Sequence, residues 1–159
     1  MIPLRSRLLR VLVAAVATAA LAVVLTGCVP DTTRGRVEQD FAQTFVNQYA
    51  QSLQRQDKPV ARPTVRSTVC HNGTNLKQDS GPGSWSCEIK YVAPDGKRHD
   101  DTWLLLSDAL GCYQAFTTDD KARYHEIRDV YSHKLILDPA GSFDGCLDVY
   151  AGPTNTSKK

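Results

Sequence analysis

Trp85-Ser86-Cys87-Glu88-Ile89-Lys90-Tyr91-Val92-Ala93-Pro94-Asp95-Gly96-Lys97-Arg98 is the stretch that decides the fold. Trp85, Cys87, Ile89 and Tyr91 alternate with Ser86, Glu88 and Lys90, the period-2 pattern of a strand with one buried face. Pro94-Asp95-Gly96-Lys97 is a strong turn signal, so residues 98–106 are expected to return as the antiparallel partner. A hairpin with one apolar face needs something laid across that face.

Upstream, residues 36–55 supply the cover. Val37, Phe41, Phe45, Tyr49 and Leu53 recur at steps of four, with Ala42, Val46 and Ala50 beside them, which predicts an amphipathic helix. Glu38 and Asp40 are expected in its first turn and Arg55 in its last, in the sense the helix dipole favours. Lys58-Pro59 and Arg62-Pro63 end the helix and begin a linker. Residues 64–70 alternate as a strand, with Val65, Ser67 and Val69 expected on one side. Asn72-Gly73 and Ser80-Gly81-Pro82-Gly83-Ser84 mark a loop over residues 71–84.

Downstream, residues 108–111 break the chain and residues 112–117 read as a further strand. Residues 119–133 fit both periods and are taken as a loop or short helix. Residues 134–137 read as a short strand, 139–142 as a turn and 146–150 as the closing strand. Residues 151–159 are polar, with the composition of a disordered tail. These elements predict an α+β fold: an N-terminal helix packed on a curved antiparallel sheet of about five strands.

The first 27 residues stand apart. Arg5, Arg7 and Arg10 precede a run from Val11 to Leu25 that is apolar except for Thr18. That run is shorter than a bilayer's hydrocarbon core, as in a secretory signal and unlike a spanning helix. It ends on Leu25-Thr26-Gly27-Cys28, which resembles the lipobox of bacterial lipoproteins at all four positions. The resemblance implies cleavage before Cys28 and a diacylglycerol thioether on its sulfur. The partner would then be the lipid bilayer, and the location the extracytoplasmic face of a cell membrane. Several acyl chains, at about 0.8 kcal/mol per buried methylene, hold a protein stably where one does not. The expected organisation is therefore a signal at 1–27, lipidated Cys28 with a tether to 35, an α+β domain at 36–150, and a tail at 151–159.

Removing the signal changes the charge. Three of the 19 Lys and Arg residues lie before Cys28 and all 17 Asp and Glu lie after it, leaving 16 against 17 and a formal charge near −1. No basic cluster remains to follow a phosphate backbone, so nucleic acid is not an expected partner.

Four cysteines remain, Cys70, Cys87, Cys112 and Cys146, an even number suited to two disulfides in an exported domain. Three pairings are open. Cys70–Cys87 with Cys112–Cys146 is favoured because each would close a local loop between neighbouring strands, at roughly 3 to 4 kcal/mol apiece. A zinc site is the rival, but there is no Cys-x-x-Cys knuckle and no His at ligand spacing.

A second resemblance spans roughly residues 65–150. Gly81-Pro82-Gly83 with Trp85-Ser86-Cys87, Gly111-Cys112-Tyr113, and Phe143-Asp144-Gly145-Cys146-Leu147-Asp148 resemble small lipoproteins of actinobacteria that lack an assigned activity. It adds support for the disulfide framework and implies no reaction. The stretch 117–137 departs from that pattern.

Catalytic chemistry finds little purchase. The cysteines are committed and no Gly-x-Ser-x-Gly elbow exists to pair with His71, His99, His125 or His133. His99, Asp100 and Asp101 are adjacent on an expected strand, so they cannot all face one way. His125, with Glu126 and Asp129, would share a face only on a helix. Ser80–Ser84 lacks the Lys-Ser/Thr of a phosphate loop, and Pro82 removes an amide. Asp138, Asp144 and Asp148 lack EF-hand spacing, and Asn72-Gly73-Thr74 is a sequon without weight in a bacterial chain. The expected function is a non-catalytic binding or interaction module, without cofactor or metal, engaging an envelope protein or a small ligand. The alternative is an envelope metal-dependent enzyme or hydrolase using His125 or His99.

Overall fold

The structure, a computed structural model, describes residues 32–73 and 80–147. The stretch expected to be a signal, Cys28 with its expected lipid, the expected tail and Asp148 lie outside the described residues. Helix α1 covers Arg34–Arg55, and strands follow at β1 (Thr64–Asn72), β2 (Gly83–Val92), β3 (Arg98–Ser107) and β4 (Cys112–Thr117). A four-residue helix α2 (Asp120–Arg123), a ribbon of β5 (Glu126–Arg128) and β6 (Leu135–Leu137), and a final strand β7 (Ser142–Cys146) complete the order. Strands β1-β2-β3-β4-β7 form one five-stranded sheet, antiparallel throughout.

The two meander turns are built alike. Gly96 N–H donates to Ala93 O, Ala93 N–H to Lys97 O, and Gly96 sits at φ 85°. Gly111 N–H likewise donates to Asp108 O, Asp108 N–H to Cys112 O, and Gly111 sits at φ 82°. A tight turn followed by a left-handed residue matches the twist of paired strands, and glycine takes that conformation without a Cβ penalty.

One face of the sheet carries Cys70, Trp85, Cys87, Ile89, Tyr91, Trp103, Leu105, Tyr113, Ala115 and Phe143, all buried. Against it lie Val37, Phe41 and Phe45 of α1. The centre is aromatic: Phe41 meets Trp103 edge-on at 5.6 Å and stacks on Phe143 at 6.0 Å, while Phe45 approaches Tyr91 at 4.9 Å. Offset and edge-on pairs of this kind add to the area they bury. Tyr49 and Leu53 are only half-buried, and Ala50 and Ser52 take their place. A step of four residues advances about 40° beyond a full turn each time, so a strict stripe drifts off the contact face.

Four expectations need correction. The helix starts at Arg34, inside the expected tether, so its first turn holds no acidic residue and Glu38 and Asp40 lie beyond it. Both act across the helix–sheet seam instead: Glu38 Oε1 accepts Cys70 N–H at 2.9 Å, and Asp40 Oδ2 accepts the Tyr113 hydroxyl at 2.8 Å. In β1, Val65 pairs Tyr91 and Ser67 pairs Lys90, leaving Arg66 as the extra residue of a β-bulge. The bulge reverses the alternation, so Val69 faces solvent while Thr68, Cys70 and Asn72 turn inward. The closing strand is Ser142–Cys146, so Cys146 ends it and does not begin it. Residues 119–133, expected as a loop or short helix, do hold a short helix at Asp120–Arg123, but strand β5 follows it at Glu126–Arg128 and was not expected.

The disulfides are Cys70–Cys87 and Cys112–Cys146. Each joins residues directly opposite in neighbouring strands, β1 to β2 and β4 to β7. The first lies under α1, with both residues 0% exposed. The second sits on the opposite face, because Cys112 precedes the inward Tyr113 and adjacent strand residues point to opposite sides.

Candidate functional site

Most residues on the face turned away from α1 are exposed, with Leu104, Phe116 and Cys112 half-buried. Alternation puts Leu104, Leu106, Phe116, Gln114, Asp144 and the Cys112–Cys146 bridge on it. Leu106 is 45% exposed, and Leu110, at the turn beside it, is 70% exposed. Lys90 bridges Glu88 and Asp100 on the same face, at 2.7 and 3.4 Å, and hydrogen bonds to those carboxylates hold its ammonium above its ordinary range. The Arg123 guanidinium lies 3.8 Å above the Phe116 ring and roofs one edge of the apolar strip.

Beside the β3–β4 turn this face dips into an open depression of about 560 Å³. Leu106, Asp108, Cys112, Gln114, Asp144 and Cys146 are among the residues that line it. Asp108 is held in place, since its Oδ1 accepts the N–H of Leu110 and of Cys112, both at 2.9 Å. Its volume falls within the range of small-molecule pockets, with a mixed apolar and acidic lining.

The chain enters the domain at the same end. Gly83, opposite Ser107, begins β2, and Ser107 Oγ accepts Gly83 N–H at 3.1 Å. Just before it, Thr33 bridges Ser80 and Gly81 N–H donates to Thr32 O at 2.8 Å. Asn72, 3% exposed, donates through Nδ2 to Ser80 O and Gly81 O. Ser80–Ser84 is therefore a structural clasp: its polar groups meet the chain.

The histidines do not gather. His99 stacks on Tyr91 at 4.9 Å, and Tyr91 donates to Asp101 at 2.9 Å, while Asp100 turns to the other face to meet Lys90. Burial, with the Asp101 charge beside it, pushes the Tyr91 hydroxyl far above its ordinary value, so it stays a proton donor. His125 is exposed and precedes β5, so it shares no helical face with Asp129. Asp129 is 2% exposed and turned to Arg55 at 3.3 Å; hydrogen bonds from Ser132 hold its carboxyl below the usual range. His133 is exposed at φ 59°, and His71 is half-buried on β1 opposite Ser86. Asp138 accepts the Ala140 N–H and caps the turn into β7. Among the described residues no three His, Cys, Asp or Glu side chains converge as metal ligands.

Reading along the chain missed the outward strip, because Leu104-Leu105-Leu106 is a continuous apolar run that hides which residue faces out. The chain matches no family model, and neither a curated protein nor a solved structure matches it significantly.

Proposed function

We propose that this chain is a membrane-anchored extracytoplasmic lipoprotein whose domain is a non-catalytic binding module, held through a diacylglycerol on Cys28. The observation that carries the reading is the mostly exposed sheet face, where an apolar strip runs into the depression at Cys112–Cys146. Two disulfides in a domain of this size support an oxidising compartment, which agrees with the signal-like start. Three residues lie between Cys28 and Thr32, so four steps of at most about 3.5 Å let the tether span no more than about 14 Å. A lipid on Cys28 would hold the depression's end of the sheet toward the membrane, within reach of an envelope protein or small ligand at its surface.

In-cell crosslinking of the wild type and of Cys28→Ala, followed by pull-down and mass spectrometry, tests this. One dominant envelope protein captured by the wild type, and lost when Cys28 is replaced or when Leu106→Asp spoils the face, is the expected result. Capture that ignores both changes would contradict it.

A further inference from the structure

We propose that the Cys112–Cys146 disulfide is a thiol-exchange site for a small neutral or cationic thiol. This rests on the geometry of the depression and does not depend on where the chain is held. The two bridges have opposite surroundings. Cys70 and Cys87 are fully buried beneath α1, whereas Cys146 is exposed, Cys112 is half-buried, and both line the depression. Thiol–disulfide exchange needs a thiolate to reach one sulfur, so access separates the two bridges before any difference in potential does.

The chemistry balances without another reactant. A small thiolate attacks Sγ of Cys146, the S–S bond breaks, and the Cys112 thiolate leaves and takes a proton from water. Cys146 then carries the small thiol as a mixed disulfide. Attack by Cys112, once deprotonated again, on Cys146 Sγ expels the small thiolate and restores the bridge. The fold has reason to survive the open state, since β7 keeps its paired register on β4 and Phe143 stays in the core.

The lining chooses among thiols. Asp108 and Asp144 flank the bridge, and no Lys or Arg is among the described lining residues. An anionic thiol meets repulsion there and a cationic one attraction, a difference of about threefold to tenfold in rate at low salt.

The test uses the purified, oxidised full chain with cysteamine, 2-mercaptoethanol or mercaptoacetate at matched thiolate concentrations. Acid quenching, alkylation of new thiols and peptide mass spectrometry then locate the products. The expected products are an alkylated Cys112 and a mixed disulfide on Cys146, formed at least about tenfold faster than any label on Cys70 or Cys87. Cysteamine should lead mercaptoacetate, and Asp144→Asn or high salt should narrow the gap. In Cys112→Ser, folded protein should be capped at Cys146 by cystamine. Labels rising together on all four cysteines, no labelling before guanidinium unfolds the chain, equal rates for the cationic and anionic thiols, or an uncapped Cys146 in folded Cys112→Ser would each overturn the proposal.

Discussion

Tyr113 lies across Gly145 on the neighbouring strand and reaches Asp40 on α1, so three distant parts of the chain meet at one hydroxyl. A Cβ on Gly145 would come within 2.5 Å of the Tyr113 ring carbon Cζ and its oxygen. Gly145→Ala is therefore expected to cost about 1 to 3 kcal/mol in urea unfolding, the range for overfilling a packed site. An unchanged midpoint would mean that Tyr113 does not rest there. Tyr113→Phe should cost about 1.5 kcal/mol, near the low end for a hydrogen bond to a charged acceptor. Burial and the Asp40 carboxylate push the Tyr113 hydroxyl well above its ordinary value. Its folded value is raised, so its contribution is present below the unfolded value of about 10 and lost as pH climbs above it. Wild type and Tyr113→Phe should converge in stability at strongly alkaline pH.

At the scale of elements, the β1 bulge makes a sharp distinction. Val69, on its solvent side, should tolerate alanine within about 0.5 kcal/mol, whereas Ile89→Ala on the buried face should cost about 2 to 5 kcal/mol. Equal losses would contradict the register. The β5–β6 ribbon hangs from α1 by Asp129–Arg55 at 3.3 Å and by Val130 N–H to Arg55 O at 2.9 Å. Because the Asp129 carboxyl is depressed, its contribution is present above its unfolded value and lost as pH falls through the folded one. Protection against hydrogen exchange, corrected for the intrinsic rate at each pH, should fall in residues 126–137 below about pH 3.9, ahead of the central sheet. Asp129→Asn should show that loss of protection already at neutral pH.

These elements also show what a chain reveals by itself. The helix and both meander turns were legible because their signals are local: a buried stripe, and Gly96 and Gly111 where a left-handed residue is needed. The bulge at Arg66 was not legible, since an extra backbone residue leaves no mark in composition. Strand β7 was displaced because Asp144-Gly145, just after the turn expected at 139–142, carry little strand propensity; the side chain filling Gly145's place comes from Tyr113, on the neighbouring strand. The candidate site was legible only as four cysteines. Which bridge faces water depends on the pleat, and the depression depends on β4 and β7 meeting across a long excursion.

For the whole molecule, the two bridges bind the sheet near opposite edges, β1 to β2 and β4 to β7. Full reduction should lower the melting temperature by about 10 °C or more, since a few kcal/mol is a large share of a small domain's stability. Melting that ignores reductant would contradict that role. The measurement that bears most directly on the central claim is the intact mass of the chain extracted from bacterial membranes. The expected mass is that of residues 28–159 plus a diacylglycerol and any further acyl group, less the four hydrogens of two disulfides. A mass that begins at Met1, carries no lipid and retains those four hydrogens would contradict both the anchor and the oxidised domain it holds.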